Sequence, residues 1–239
     1  MKIALIGYGK MGQAIEQIAV AKGHEIVLKI NIDNTADFTP EAIKMADVAI
    51  EFTGPETAFE NIIKCIENGV PVVSGSTGWL DRLSEVEVAV KEKDGAFLYS
   101  SNYSIGVNLF FEVNKYLARL MEDYPSYDVS MEEIHHTQKK DAPSGTAISL
   151  AGQILENLDR KKNWVNQSAS NPEELSIISK RIDPAPGTHV VTYSSDIDDI
   201  EIKHTAHNRK GFASGAVLAA EFLSDRKGIY SMRDVLFGG

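Results

Sequence analysis

The sequence predicts an α/β chain of two domains: a parallel sheet covered on both faces, then an α+β domain with an open mixed sheet. Three observations carry this. Through the first hundred residues, short apolar runs alternate with stretches of helical periodicity, the pattern of crossover units on a parallel sheet. The first run leads into a glycine-rich turn, GYGKMG, at residues 7–12. Beyond residue 103 the order changes to helices followed by a run of strands, which suits a second domain.

Each element follows in turn. KIALIG is a short apolar strand with little polar alternation, as a doubly covered sheet requires. KMGQAIEQIAVAKG has helical periodicity, and EIVLKI and DVAIEF are the second and third strands. ETAFENIIKCIENG is a helix ending at Gly69. VPVVSG is the fourth strand, LDRLSEVEVAVKEK a helix and GAFLYSS the fifth strand. Residues 104–122 read as one long helix. DVSMEEIHH is strand-like, and after a polar loop SGTAISLAGQILENL is a helix. Residues 159–175 are polar and read as a loop; ELSIISKRI, HVVTYSS and DDIEIKHTA read as strands. The last helix, FASGAVLAAEFLS, precedes the tail GIYSMRDVLFGG. The expected division is 1–103, with 211–239 returning to it, and 104–210.

The totals exclude several classes. Apolar residues make up 43% of 239 and charged residues 24%, ordinary for a globular protein. The formal net charge of −10 argues against nucleic acid and anionic membrane as partners, since both need basic surface. Cys65 is the one cysteine, so there is no intrachain disulfide and no cysteine metal pattern. Its apolar neighbours at helical spacing make it a buried structural thiol. The first residues run directly into a strand without a leader pattern, and no apolar run approaches the roughly 18 residues of a membrane span. A cytoplasmic location is expected.

GYGKMG sits between a strand and a helix, the context in which G-x-G-x-x-G binds a dinucleotide. Gly7 permits the tight turn, Gly9 lets backbone approach a pyrophosphate, and Gly12 lets the helix sit close to the strand. The helix end offers N–H groups and a positive dipole to the phosphates. The first domain is therefore expected to be Rossmann-like, with NADH and/or NADPH as cofactor. The position that normally carries an acid for the ribose hydroxyl holds Asn31. An amide still bonds a ribose hydroxyl and repels a 2′-phosphate less than a carboxylate would. Lys10 and Lys29 lie near enough in sequence to meet such a phosphate, so both cofactors are expected to be accepted. GSTG (75–78) and SSNY (100–103) follow the fourth and fifth strands, where ligands of open α/β sheets bind.

The segment EIHHTQKKDAPSGTA, residues 133–147, gathers two imidazoles, two ammonium groups and a helix start. Ser144 is a good N-cap, and the N–H groups of Gly145 and Thr146, with the Thr146 hydroxyl, suit a carboxylate. Lys139 and Lys140 suit a second carboxylate or proton delivery. His135 and His136 point in opposite directions unless the strand ends between them. Histidine is the usual general acid near neutrality. The combination suits a small dianion that is protonated during reaction.

This segment resembles the signature of the 4-hydroxy-tetrahydrodipicolinate (dihydrodipicolinate) reductase family, E-x-H-H-x-x-K-x-D-A-P-S-G-T-A, at every fixed position. GYGKMG, EFTGPE, GSTGW, SSNYSIGVN, HNRKGFASGAV and MRDVLF agree in order, so the resemblance covers nearly the whole chain. It implies NAD(P)H-dependent reduction of (2S,4S)-4-hydroxy-2,3,4,5-tetrahydrodipicolinate to tetrahydrodipicolinate with loss of water, in the diaminopimelate route to lysine. It also implies a substrate domain whose open sheet builds a homotetramer. By the same likeness, His135 and Lys139 take the catalytic acid and proton-donor roles. His136, Gly145, Thr146 and Thr77 match substrate positions. Gly7, Tyr8, Gly9, Lys10, Met11, Gly12, Gly75, Ser76, Thr77, Ser100, Ser101, Asn102 and Tyr103 match cofactor contacts, with Asn31 in place of the usual acid. No metal ligand is implied. Arg209 matches a family arginine whose role stays open, and KRIDPAPGTH follows the family pattern loosely. Two alternatives stand beside this reading. One is another NAD(P)-dependent reductase of a small dicarboxylate or amino acid; the other is a non-catalytic NAD(P)-binding sensor.

Overall fold

A computed structural model describes residues 1–208 and 210–238. In chain order the elements of the first half are β1 (Lys2–Ile6), α1 (Lys10–Ala21), β2 (Glu25–Ile30), α2 (Pro40–Ile43), β3 (Val48–Glu51), α3 (Ala58–Glu67), β4 (Val72–Ser74), α4 (Leu83–Glu92) and β5 (Ala96–Tyr99). The second half has α5 (Ile105–Met121), β6 (Asp128–His135), α6 (Gly145–Leu155), β7 (Asn163–Val165), β8 (Glu174–Arg181), β9 (Thr188–Ser194) and β10 (Asp199–Thr205). Last come α7 (Lys210–Leu223), β11 (Gly228–Ser231) and α8 (Met232–Phe237). The chain divides into two compact units, 1–105 with 210–239, and 106–209.

The first unit is a six-stranded parallel sheet in the order β11-β5-β4-β3-β1-β2. Both its faces are buried. Ala4, Ile6, Ala49 and Phe97 face one core with α3 and α4, while Leu5, Ile50 and Leu98 face another with α1 and α7. That double burial is why β1 reads as an unbroken apolar run. The strand order reverses between β1 and β3, so the loops leaving those two strands diverge and open a crevice at their carboxyl ends. Cys65 is fully buried, and burial pushes its thiol far above the ordinary range.

The second unit is a mixed sheet in the order β10-β9-β6-β8-β7. α5 and α6 pack on one face, with Phe110, Leu150, Val129, Ile177 and Tyr193 in a common core. β6 pairs antiparallel with β9 and parallel with β8. Its alternation continues to the strand end: Val129 and Met131 enter the core, and the same period of two turns Glu133 and His135 inward.

The structure departs from the expected elements at three places. The polar stretch 159–175 contains β7, whose three residues are too few to show a period. The tail contains β11 and α8, and β11 joins the first sheet by pairing with β5. Residues 32–43 hold a 3-10 turn and the single-turn α2. No helix among the described residues is long and apolar enough to cross a membrane.

Candidate active site

The first unit places the glycine loop 7–12 between the end of β1 and the start of α1. Gly7 has φ +98°, and a Cβ there would stand 2.0 Å from the Phe52 carbonyl oxygen. A Cβ on Gly12 would stand 2.4 Å from the Gly7 carbonyl oxygen. These two glycines are demanded by the fold itself. Gly9 differs: a Cβ there meets nothing within 4 Å. Nothing in the fold itself requires its smallness. Gly9 is also the N-cap of α1, no side chain caps that helix end, and its first turn has no acid. Such an end favours a phosphate.

Beside the glycine loop, Tyr8, Glu16 and Lys29 form one group. The Tyr8 hydroxyl donates to Glu16, and Lys29 pairs with the same carboxylate at 2.7 Å while standing 5.0 Å over the Tyr8 ring. Lys29 holds the Glu16 carboxyl below its ordinary value. One of the two lysines expected to meet a 2′-phosphate is thus already engaged. Asn31 is exposed at the end of β2, and its N–H donates to Asn34 Oδ1 at 2.7 Å.

Glu51, fully buried at the end of β3, ties together the loops after β3 and β4. Its carboxylate accepts from Ser74 Oγ at 2.6 Å, Ser76 Oγ at 2.7 Å, and Thr53 N at 2.8 Å. Tyr103 donates its hydroxyl to the Ser74 carbonyl at 2.7 Å and packs on Phe52 at 5.7 Å. Asn102 Oδ1 accepts from Ser104 N, and the Ser100 hydroxyl donates to the Asn102 carbonyl. Ser76, Asn102 and Tyr103 turn inward and brace the loops, while Thr77 and Ser101 are exposed. Gly75 is small because a Cβ would strike the Phe52 ring at 2.2 Å. Met11 packs half-buried against the core, and Lys10 is exposed.

The second unit carries the histidine and lysine segment. β6 ends between the two histidines. His135 is buried, and His136 is half-buried on a cleft of about 300 Å³ lined also by Gln138, Asp183 and Pro186. Lys139 lies in the loop that follows, with Nζ on Asp141. Ser144 caps α6 by accepting from Ala147 N at 3.2 Å. Gly145 is exposed with open space above its Cα, and Thr146 is half-buried beside it. Arg209 lies outside the described residues.

Four further residues converge here that the sequence pattern did not single out: Glu133, Ser179, Arg181 and His189. Glu133 stands opposite His189 on β9 and Ser179 on β8, and His135 stands opposite Arg181. The fully buried Glu133 carboxylate accepts from Ser179 Oγ at 2.8 Å and Ser144 N at 3.1 Å, and Arg181 Nη2 lies 3.3 Å away. His135 Nδ1 is 3.2 Å from it, in ion-pair range but not aligned for a hydrogen bond. Burial alone would push the Glu133 carboxyl up. Its imidazole and hydroxyl neighbours outweigh that and hold it well below the ordinary range. His189 lies 3.7 Å from Glu133, yet burial dominates and holds its imidazole down to about 4. The ligand atoms of Glu133, His135 and His189 lie within 4.8 Å of one another, a spacing that also suits a metal ion. The Arg181 guanidinium already supplies the compensating charge there. A signal for Glu133 exists in the sequence, because E-x-H on a strand puts both side chains on one face.

Similarity to known proteins agrees with this geometry. The family descriptions "Dihydrodipicolinate reductase, N-terminus" and "Dihydrodipicolinate reductase, C-terminus" match residues 1–103 and 106–236. A 4-hydroxy-tetrahydrodipicolinate reductase of Christiangramia forsetii is 52% identical over 237 residues, covering 99% of this chain and 98% of the relative. One from Methanopyrus kandleri is 40% identical over 206 residues, covering 84% and 74%. Among solved structures, a dipicolinate-bound dihydrodipicolinate reductase from Paenisporosarcina sp. TG-14 has a TM-score of 0.79 at 24% identity, over 99% of each chain, a likeness of fold. A chain matched end to end in this way belongs to the dihydrodipicolinate reductase family, and it is an oxidoreductase acting on 4-hydroxy-tetrahydrodipicolinate.

Proposed function

We propose that the first unit holds NADH or NADPH at Gly7–Gly12 and the second unit holds the substrate's two carboxylates and protonates it. The bound dinucleotide supplies the hydride. Its pyrophosphate is cradled by the uncapped start of α1 beside Gly9, and Asn31 meets the ribose. Thr77 and Ser101 stand exposed on the loops that Glu51 and Tyr103 brace.

The start of α6 offers the N–H groups of Gly145 and Thr146 to one carboxylate, and His136 and Lys139 offer charge to the other. Loss of the 4-hydroxyl as water leaves a conjugated ring; hydride addition to that ring leaves negative charge on it, and His135 with Lys139 supplies the proton. General-acid help of this kind is worth about 10²–10⁴-fold. The single observation that carries the reading is the convergence of His135 and the start of α6 on one buried carboxylate, to which Arg181 ties the Lys139 loop. The assembly this reading expects is a homotetramer through the helix-free face of the second sheet, where Val190 on β9 and Lys203 on β10 stand opposite each other.

The test is steady-state kinetics of His135→Gln and Lys139→Ala, with dipicolinate as a competing planar dicarboxylate. Turnover falls at least about 10²-fold in both variants, and Lys139→Ala also weakens dipicolinate inhibition. Native kinetics in both would refute the assignment.

A further inference from the structure

The geometry points to Glu133 as the positioning residue of the reaction, the one side chain that fixes the general acid, the lysine loop and the carboxylate-binding helix end together. The inference rests on the roles given to His135 and Lys139 above.

Three chains of contact start at this carboxylate. The first runs to His135. Glu133 Oε2 faces Nδ1 at 3.2 Å, which leaves Nε2 as the atom for proton transfer. A carboxylate on one ring nitrogen favours the proton there and stabilises the imidazolium. Nε2 lies against Gly187, where a Cβ would come within 3.0 Å, so that side of the ring is kept clear. The contact is close but not aligned as a hydrogen bond, and bonds of this kind commonly tighten when substrate binds.

The second chain runs through Arg181. Its guanidinium lies 3.3 Å from Glu133 Oε1, donates to the Asp141 carbonyl at 2.5 Å, and reaches the Lys139 carbonyl at 3.3 Å. The backbone carrying Lys139 is thereby fastened to the carboxylate that faces His135. The third chain is direct. Glu133 accepts from the N–H of Ser144, the cap of the helix whose next two residues bind the substrate carboxylate. A core ion pair with only a structural task has no need to join these three parts.

The experiment is a double-mutant cycle between Glu133→Gln and His135→Gln, with folding checked by near-ultraviolet circular dichroism and turnover followed against pH. Groups facing His135 are Glu133 on its own strand, Arg181 on β8 and His189 on β9. If Glu133 acts through His135, Glu133→Gln lowers kcat by about 10²-fold in the native background but less than about threefold beside His135→Gln. The basic limb of the profile then moves down by about one pH unit, because the imidazolium has lost its counter-charge. If His135→Gln is impaired yet the two losses multiply and the limb stays, Glu133 is structural and the proposal falls. If His135→Gln alone turns over normally, the proposed acid fails first, and this link with it. Should Glu133→Gln not fold, Glu133→Asp keeps the charge beside Arg181 while drawing it back from His135, and the same cycle decides.

Discussion

Lys139 Nζ sits 2.8 Å from each carboxylate oxygen of Asp141, two residues on. The contact also holds the Asp141 carboxyl below its ordinary value. The lysine proposed for a substrate carboxylate is therefore engaged by an internal one, which substrate would have to displace. Both side chains are partly exposed, so the pair is worth about 0.2–1 kcal/mol. Asp141→Asn is expected to lower KM by no more than about fivefold with kcat nearly unchanged. A higher KM in steady-state assays would mean that Asp141 orients Lys139 for binding instead.

The glycine loop separates folding from binding. Gly12→Ala drives a Cβ into the Gly7 carbonyl and is expected to cost about 1–3 kcal/mol of stability. Gly9→Ala meets nothing in the protein, so its melting temperature should match the parent. Its affinity for NADH should fall at least about tenfold, since each 1.4 kcal/mol of lost approach is tenfold. Thermal melts with fluorescence titration check both. Unchanged affinity in Gly9→Ala would remove the loop from the cofactor site.

Glu16 gives a test of cofactor choice. Glu16→Gln releases Lys29 from its ion pair and leaves a cation near the ribose end. The ratio of kcat/KM for NADPH over NADH is expected to rise about fivefold, the equivalent of about 1 kcal/mol. An unchanged ratio would show that Lys29 does not reach a 2′-phosphate.

The acid stability of the chain has a histidine component. His189 is held down to about 4 in the folded chain, against an ordinary 6.5. Between those values the unfolded chain takes up a proton that the folded chain does not. Stability therefore falls as pH drops through that window, by up to about 3 kcal/mol. Glu133, lowered from an ordinary 4.5, adds its own loss only below about that pH. Urea melts of His189→Gln should show a shallower decline between pH 6.5 and 4.5. A slope equal to the parent's would place the proton elsewhere.

Much of this was legible in the sequence, because it rests on local pattern. Apolar runs gave the parallel strands, the glycines gave the cradle, and Ser144 gave a helix start. Strand-ends gave the loops at 75–78 and 100–103, but not which way their side chains turn. Ser76 and Tyr103 face inward because Glu51 and the Ser74 carbonyl, distant in sequence, receive their hydroxyls. The buried cluster was harder for the same reason. Glu133 meets His189, Ser179 and Arg181 only through the pairing of β6 with β9 and β8, 46 or more positions away in the chain. β7 and β11 escaped because three or four residues carry no period, and their identity comes from the neighbours they pair with.

The central claim is reduction with protonation from the His135 and Lys139 side, and one measurement reaches it most directly. NADH and NADPH oxidation are followed separately, with substrate made in place by a purified synthase from pyruvate and aspartate semialdehyde. The account predicts rapid oxidation that requires the synthase, proceeds with both cofactors, and is lost in Lys139→Ala. Oxidation that is unaffected by Lys139→Ala and His135→Gln, or none at all from a chain that binds cofactor, would contradict it.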